Sequence, residues 1–421
     1  NNTTQSLLSS KSITSQHSSK FTMAGGQTIR LSQLEAQQTQ QNKMMMMKKN
    51  KKLALILDLD STLVHATPFQ NFPQEVLKGV NIIQLEENGF ILRHLVKLRP
   101  YLEHFLSSCK PYFQMTIYTH GTRSYAEATA RLIDPNGQYF GKRIVSRTDH
   151  PDLGLEKCLS RLFLEDWSMA VVLDDRDDVW RKDQQTHVIC IKPYLYFQQF
   201  LVNGSRLQQE INNAPGLSTI TPSISLPSTK SIPTESLESS TQNDSTLSSS
   251  PSSSSSVSSE LNSIETQTPV STSSVQTPQV NNNSNKNNKN NNDNDSSLLK
   301  SLDSLLLVHN KYYELLEKGE NPNVGDILTS MRKSILKGCN LCVSGLIKIE
   351  NPRKHKLWML AESLGAKISL DLTTKTTHLL TISIETEKSR ECIKLGNIYV
   401  LHPDWLLYCF WHIIKEDENH F

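Results

Sequence analysis

Two stretches of the chain, residues 51–202 and 334–421, carry the regular apolar patterns of globular domains. In the first stretch, short continuous apolar runs alternate with amphipathic patterns of helical period. Such runs are typical of the fully buried strands of a parallel sheet. The runs are 53–57, 115–118, 169–173 and, more weakly, 188–191, and the helical patterns are 100–109, 123–133 and 155–163. This alternation predicts a doubly wound α/β domain.

The segment between residues 68 and 97 interrupts the alternation. Its apolar parts, 80–85 and 89–92, lie close together and indicate a β-hairpin that is inserted above the first strand. The second stretch predicts strand, helix, strand, strand, helix, strand and a final helix that carries Trp405. We therefore expect two α/β domains of different size.

The rest of the chain is polar. Residues 1–50 are rich in Ser, Thr and Gln and predict a disordered tail with one weakly helical patch at 31–41. Residues 203–300 predict a disordered Ser/Asn-rich linker, because they hold too little apolar surface to offset the entropy of ordering. Within a linker helix region, 301–333, the amphipathic pattern of residues 302–318 predicts a helix that docks on one of the two domains.

Composition and charge narrow the class of protein. The 421 residues carry a formal net charge of +2, and residues 51–202 hold 18 basic and 18 acidic residues. This balance argues against a charge-driven contact with nucleic acid, so any phosphate site must be local. The seven cysteines fit a reducing compartment better than a disulfide framework. No apolar run approaches the ~18 residues of a membrane span, so we predict no membrane partner.

The most informative string follows the first apolar run. Asp58 and Asp60 are expected at the carboxyl end of a parallel strand, where open α/β sheets bind their ligands. Side chains two residues apart point the same way, so both carboxylates can reach one substrate atom. Two anions this close need a cation, and Mg²⁺ prefers such hard oxygen ligands. The alternative is an acidic strand end that is capped by Thr62.

Further polar residues follow the other strands. Thr119 ends the second run with a hydroxyl that can hydrogen-bond a phosphoryl oxygen. Lys157 opens the helical pattern 155–163 as a fixed positive charge, and Asp174 and Asp175 end the third run as additional metal ligands. A nucleophile, a hydroxyl, a lysine and an acidic pair at one sheet edge together indicate phosphate chemistry with a bound metal.

Five strings of the first domain together resemble a known family. They are LDLDSTLVHAT, KLRPYLEHFL, IYTHGTRSYAEATARLIDP, FGKRIVSRTD and VVLDDRDDVW. In these strings the domain resembles the haloacid dehalogenase superfamily and, more narrowly, the RNA polymerase II C-terminal-domain phosphatases of the type that associates with transcription factor IIF. The second domain is similar to a BRCT domain in ILKGCNLCVSGLI, AESLGAKIS, TTHLLT and HPDWLLYCFW. The implied fold is a haloacid dehalogenase-like Rossmannoid parallel sheet with a β-hairpin insertion, followed by a small α/β BRCT domain.

The resemblance implies a Mg²⁺-dependent protein-serine phosphatase that dephosphorylates the heptad-repeat C-terminal domain of RNA polymerase II. Asp58 would be the nucleophile that forms an aspartyl-phosphate, and Asp60 would be the general acid and base. Thr119 and Lys157 would bind the phosphoryl oxygens.

The resemblance also implies a cofactor, partners and a location. Mg²⁺ would be held by Asp58, the backbone carbonyl of Asp60 and Asp175, with Asp174 either orienting this group or contacting the metal itself. The implied partners are the phosphorylated C-terminal domain of RNA polymerase II and transcription factor IIF. The expected location is the nucleus, without direct contact to nucleic acid.

Four more residues are candidates for substrate contact. Arg99 and Arg147 can each form bidentate bonds to a phosphoserine, or equally a surface or intradomain ion pair. In the second domain, Ser344 stands where phosphopeptide-binding BRCT domains place a hydroxyl, and Lys388 is the nearest candidate partner. The alternative is a BRCT domain that only packs or binds proteins.

Two other functions are compatible with the sequence. One is a phosphatase of the same superfamily with another substrate. The other is a non-catalytic adaptor whose BRCT domain binds phosphoproteins. The presence of both Asp58 and Asp60 favours the enzyme, because members of the superfamily that lost activity usually lack one of them.

Overall fold

A computed structural model of the chain describes residues 18–22, 28–87, 89–149, 156–164, 166–198, 294–347 and 350–421. All of these belong to one compact unit, residues 1–218 with 290–421, and the second unit, 219–289, lies outside the described residues. Residues 203–293 of the predicted disordered linker therefore lie outside the described residues. The two predicted domains and the helices that join them share a single unit.

The structure departs from the disordered tail predicted over 1–50. An antiparallel hairpin precedes a helix here, namely β1 (Ser18–Thr22), β2 (Thr28–Ser32) and α1 (Gln33–Lys49). The buried residues of α1 include Ala36, Met44 and Met47. Residues 33–41 of the helical patch predicted at 31–41 are part of α1, but the prediction of disorder was wrong for the residues up to Lys49. A few apolar residues at helical spacing suffice for a helix once a folded domain supplies the opposing surface.

A five-stranded parallel sheet forms the centre of the first domain. Its strands are β3 (Leu53–Leu57), β7 (Phe113–Tyr118), β8 (Ile144–Val145), β9 (Ala170–Asp174) and β10 (Val188–Cys190). They lie in the order β10-β9-β3-β7-β8, and every neighbouring pair is parallel. Two helices follow the prediction closely, α3 (Leu102–Cys109) and α4 (Arg123–Ile133). All residues of β3 and β9 are buried, and the predicted α/β fold is confirmed.

The predicted hairpin insertion is part of a second, antiparallel sheet. Its strands are β4 (Val64–Pro68), β5 (Val80–Glu87) and β6 (Phe90–Leu98), in the order β4-β6-β5. A short helix, α2 (Gln74–Leu77), joins β4 to β5. Because β4 begins only seven residues after the end of β3, this sheet starts directly at the carboxyl edge of the central sheet.

The segment around Lys157 is not the helix that its pattern predicts. Lys157 forms an isolated parallel bridge with Trp180, and within the described residues 156–164 Leu159–Arg161 makes a single 3-10 turn. The Lys157 amide donates to the Val179 carbonyl at 2.8 Å, and the Arg181 amide donates to the Lys157 carbonyl at 3.0 Å. These bonds commit the backbone of Lys157 to an extended pairing, so tertiary contacts override the helical period here.

Two helices, α5 (Ser297–Glu317) and α6 (Val324–Ile335), follow the linker. On the side of the first domain, Tyr313 donates to the Lys52 carbonyl at 2.9 Å. On the side of the second domain, Lys300 binds Glu416 at 2.8 Å. Helix α5 thus confirms the amphipathic prediction but packs on both domains instead of one.

The second domain has a four-stranded parallel sheet in the order β12-β11-β13-β14. Its elements along the chain are β11 (Asn340–Val343), α7 (Lys356–Ser363), β12 (Lys367–Ser369), β13 (His378–Leu380), α8 (Glu387–Leu395), β14 (Tyr399–Leu401) and α9 (Asp404–His412). This order is the predicted one. Trp405 is fully buried and stacks on His378, with ring centroids 4.9 Å apart.

Two further features of the described residues concern the cysteines and the lengths of the helices. All seven cysteines are free and buried. Among the described helices, none is long and apolar enough to cross a membrane.

Candidate active site

A buried cluster of charges lies at the carboxyl edge of the central sheet. The Lys157 ammonium contacts Asp58 Oδ1 at 2.6 Å and Asp174 Oδ2 at 2.7 Å. Asp58 follows β3, and Asp174 ends the neighbouring strand β9, so the parallel pairing brings the two carboxylates together. All three side chains are less than a tenth exposed. The sequence placed these residues at one edge correctly, and the structure brings them into direct contact.

The electrostatics of this cluster favour a further cation. Burial alone would lower the pKa of Lys157, but Asp174 and Asp58 raise it above its usual range, so the ammonium is charged. Burial raises the pKa of Asp58 well above its usual value, and Lys157 only partly opposes this. Burial, followed by the charge of Asp174, raises the pKa of Asp175 to about 7. Several acids therefore share one lysine, and additional positive charge would stabilise their ionised forms.

The cluster fits a divalent cation of the Mg²⁺ type. Carboxylate oxygens of Asp58, Asp174 and Asp175 lie within 4.8 Å of one another, and hard oxygens are the ligands that Mg²⁺ prefers. Asp174 already accepts bonds from Lys157, from Trp180 Nε1 at 2.9 Å and from a backbone amide. The carboxyl group of Asp175 is engaged by its own backbone amide instead, so fewer donors occupy its oxygens. The hydrogen bonding thus favours Asp175 over Asp174 as a direct ligand.

Asp60 is set apart from this cluster by a different partner. Tyr125, on α4, donates to Asp60 Oδ1 at 2.5 Å. Burial raises the pKa of Asp60, and the bond from Tyr125 and the charge of Lys157 oppose this shift. The ring of Tyr125 rests on Gly121, where a Cβ atom would overlap ring carbon Cδ1. A carboxyl group with a raised pKa, on the same loop as Asp58, is suited to general acid and base work.

The loop that carries both aspartates has a strained backbone and is held from two sides. Ser61 adopts a left-handed conformation with φ of 61°. The hydroxyl oxygen of Thr62 accepts a bond from the Asp175 amide at 3.0 Å. Arg99 donates to the Thr62 carbonyl at 2.9 Å. Thr62 therefore links the two acidic segments, in addition to shaping the turn.

The other predicted residues occupy different positions around this edge. The hydroxyl oxygen of Thr119, which is buried, accepts a bond from the Gly121 amide at 3.0 Å, so its proton remains available for a phosphoryl oxygen. Arg147 is half-buried, and its amide donates to the Gly121 carbonyl at 3.1 Å. Arg99 lies beneath the loop with a fully buried side chain that pairs with Asp295, at the end of the predicted linker, so its ion pair is neither at the surface nor within the first domain.

The BRCT candidates lie in a separate place. Ser344 is buried at the end of β11, and its hydroxyl donates to Thr386 Oγ1 at 3.1 Å. Lys388, on α8, is half-buried and donates to the Leu370 carbonyl. Both side chains are thus engaged within the domain.

Two residues of the active site were missed by reasoning from spacing. Tyr125 and Trp180 contact Asp60 and Asp174, respectively. Both lie inside the strings that carried the family resemblance, so the resemblance held a signal for them. Neither residue type suggests acid–base chemistry by its pattern alone, because a buried aromatic residue is typical of a hydrophobic core.

The fold agrees with the haloacid dehalogenase-like domain that the sequence predicts, and the charged cluster lies at the sheet edge where such a domain is expected to bind its ligand. Comparison with known families makes the assignment more particular. Residues 53–210 match the NLI interacting factor-like phosphatase family, and residues 332–410 match the BRCA1 C Terminus (BRCT) domain. The chain is therefore similar to NLI interacting factor-like phosphatases over its first domain and to BRCT domains over its second.

Two yeast proteins are similar to most of the chain, and both are named as phosphatases of the RNA polymerase II C-terminal domain. The protein from Schizosaccharomyces pombe is 31% identical over 423 residues, which cover 88% of this chain and 58% of that protein. The protein from Saccharomyces cerevisiae is 27% identical over 449 residues, which cover 94% and 61%. The chain spans about three-fifths of the length of these relatives.

A solved structure extends the similarity to three dimensions. The structure of Fcp1, described as an essential RNA polymerase II CTD phosphatase, matches with a TM-score of 0.59 and 26% sequence identity. The match covers 91% of this chain and 99% of that chain. The similarity therefore includes both domains and the helices that join them.

Proposed function

We propose that this chain is a Mg²⁺-dependent protein-serine phosphatase that acts on the phosphorylated heptad-repeat C-terminal domain of RNA polymerase II. The observation that carries the proposal is the buried contact of Lys157 with Asp58 and Asp174 at a sheet edge, with Asp60 beside it. This arrangement supplies a nucleophile, a fixed positive charge and a separate acid in one place.

The reaction proceeds in two displacements on these residues. An oxygen of Asp58 attacks the phosphorus of a phosphoserine, the bond to the serine oxygen breaks, and Asp60 donates a proton to that oxygen. An aspartyl-phosphate on Asp58 results. Asp60 then takes a proton from a water molecule, which attacks the same phosphorus, so that inorganic phosphate leaves and Asp58 is regenerated.

Lys157 and Thr119 bind the phosphoryl oxygens during both steps. The fixed ammonium of Lys157 also offsets the charge of Asp58 before substrate arrives, at no reorganisation cost during the reaction. Tyr125 keeps the Asp60 carboxyl oriented toward the leaving oxygen. Asp58, the backbone carbonyl of Asp60 and Asp175 would hold Mg²⁺, with Asp174 orienting Lys157. The bound ion would supply further positive charge for the phosphoryl oxygens.

The substrate and the location rest on the relatives. The proteins from S. pombe and S. cerevisiae are named as phosphatases of the RNA polymerase II C-terminal domain. We extend that substrate to this chain, together with a nuclear location and transcription factor IIF as a candidate partner. Another phosphoprotein substrate for the same site is the alternative.

The test is phosphate release from heptad peptides that carry phosphoserine at either the second or the fifth position, with and without Mg²⁺. We expect turnover of at least one peptide, loss of turnover in the presence of a chelator, and recovery when Mg²⁺ is added back. An Asp58→Asn chain of unchanged melting temperature is the control for contaminating phosphatase. Turnover of small aryl phosphates but of neither peptide would point to another substrate.

A further inference from the structure

We infer that Asp295, at the end of the long polar segment, is a positioning residue for the loop that carries Asp58 and Asp60. It acts through the buried guanidinium of Arg99. The inference rests on the proposed function, because it deepens the account of that same site.

Arg99 gathers three segments of the chain around one side chain. One of its terminal nitrogens donates to the Thr62 carbonyl at 2.9 Å. The other donates to the Lys192 carbonyl at 2.6 Å and to Asp295 Oδ2 at 3.0 Å. The side chains of Arg99 and Asp295 are 0% and 12% exposed. The ion pair is therefore buried, and it joins residues that are 196 positions apart in the sequence.

The loop has a reason to need this support. Ser61 holds a left-handed conformation that a residue with a Cβ atom adopts only under constraint. Its carbonyl accepts a bond from the Tyr194 amide at 2.7 Å, and the next carbonyl, that of Thr62, faces Arg99. Thr62 in turn binds the Asp175 amide. A movement of Arg99 would therefore displace both the loop of Asp58 and Asp60 and the segment that carries Asp175.

Asp295 is the carboxylate that fixes Arg99 in place. A buried guanidinium needs an anion close by, and the contact with Asp295 is the ion pair that Arg99 makes within the described residues. The second oxygen of Asp295 accepts a bond from the Ser297 amide at 2.8 Å, at the start of α5. Since α5 packs on both domains, Asp295 ties the interdomain helix to the nucleophile loop.

The experiment compares three variants of the full chain. Asp295→Asn removes the charge, Asp295→Glu keeps it, and Glu317→Gln is the matched control. Glu317 is the last residue of α5, the helix that begins just after Asp295. It forms an exposed ion pair with Lys51 at 2.7 Å, and the side chains of Glu317 and Lys51 are 63% and 65% exposed. Each variant is assayed on a small aryl phosphate and on a phosphoserine heptad peptide.

We expect Asp295→Asn to lower kcat about tenfold on both substrates with KM within about twofold, because the loop loses catalytic geometry and not substrate contacts. Asp295→Glu should recover most of the loss, and Glu317→Gln should match the unmodified chain. Hydrogen exchange gives a readout that is independent of activity. The Asp175 and Tyr194 amides, which bind the loop, should exchange about tenfold faster in Asp295→Asn alone.

Unchanged kcat and unchanged exchange in Asp295→Asn would overturn the inference. So would a loss of kcat that comes only with faster exchange throughout the chain, because Asp295 would then serve global stability. If the unmodified chain hydrolyses the aryl phosphate but no heptad peptide, the proposed substrate is wrong while the inference is still decided by kcat and exchange. If it hydrolyses neither, the proposed function is wrong and exchange alone decides the inference.

Discussion

The two candidate phosphate sites of this chain differ in how their lysines are placed. Lys157 is buried between Asp58 and Asp174, and those carboxylates are its contacts. Lys388 is half-buried on the surface of α8 and contacts a backbone carbonyl. Near it, Ser344 donates its hydroxyl hydrogen to Thr386. The site of Lys157 thus holds buried charges that do not cancel, while the polar groups at the site of Lys388 are hydrogen-bonded within the domain.

This difference indicates that the site of Lys157 is suited to catalysis and that the site of Lys388 is suited at most to weak binding. A fixed charge in a dry site interacts strongly with a transferring phosphoryl group, because no solvent must reorganise. A surface lysine in high dielectric contributes much less to the binding of an anion. We therefore assign the large effects to the first site and small ones to the second, and the following changes test that division.

The largest effect is expected for Asp58→Asn. A neutral amide neither attacks phosphorus nor holds a cation well, so turnover should fall by about 10⁴-fold or more. Phosphate release under single-turnover conditions measures the loss. Ordinary turnover in this variant would show that Asp58 is not the nucleophile. The assignment of the large effects to the first site would then be wrong as well.

Lys157→Met should be the next most damaging change. It leaves Asp58 and Asp174 buried without their shared cation, so we expect roughly 10²–10³-fold lower turnover and about 3 kcal/mol lower free energy of unfolding. Urea denaturation measures the second quantity. The matched variant Lys388→Met should change the free energy of unfolding by no more than about 0.5 kcal/mol, because its site is at the surface.

Acidification should destabilise the first domain through His65. Burial lowers the pKa of His65 to about 4, and its Nδ1 accepts a bond from the Phe197 amide at 2.9 Å. The unfolded chain binds a proton below about pH 6.5 and the folded chain does not, so the free energy of unfolding falls as the pH drops from there toward 4.

Between pH 7 and 4.5 this group alone should contribute a loss of about 2 kcal/mol, a shift of roughly 30-fold in the folding equilibrium. Urea denaturation at the two pH values measures it. In His65→Asn, the fall in the free energy of unfolding between these pH values should be smaller by about 2 kcal/mol. In the control His104→Asn, at an exposed position, the fall should equal that of the unmodified chain. Equal pH dependence in both variants would mean that His65 is not the titrating group.

Tyr125→Phe should lower kcat by about tenfold. It removes the hydrogen bond to Asp60 but leaves the ring on Gly121, so the fold is kept while the acid loses its orientation. The control is Tyr112→Phe, whose side chain is exposed. An equal kcat in the two variants would show that the Tyr125 hydroxyl does not contribute to catalysis.

The sequence predicted the parts of this molecule that depend on local pattern. Apolar runs followed by Asp58 and Asp174 fix both the strands and the edge where the acids meet, because parallel strands share a carboxyl edge. The extension of helix α1 beyond the patch predicted at 31–41 and the extended backbone of Lys157 were not predicted, since contacts with distant residues decide them. Asp295 lies in a polar tract and contacts Arg99 across 196 positions, a pairing that no periodicity encodes.

The smallest effect is expected at the BRCT site. The Ser344 hydroxyl would have to give up its bond to Thr386 before it could donate to a phosphate, so little net affinity is available from it. In chains that carry Asp58→Asn to prevent turnover, Ser344→Ala should weaken the binding of a phosphoserine heptad peptide by no more than about threefold. Fluorescence anisotropy with a labelled peptide measures this, and the unphosphorylated peptide is the control. A loss above about tenfold, specific to the phosphorylated peptide, would mean that the BRCT domain supplies the main docking site and that internal satisfaction of its polar groups does not limit binding.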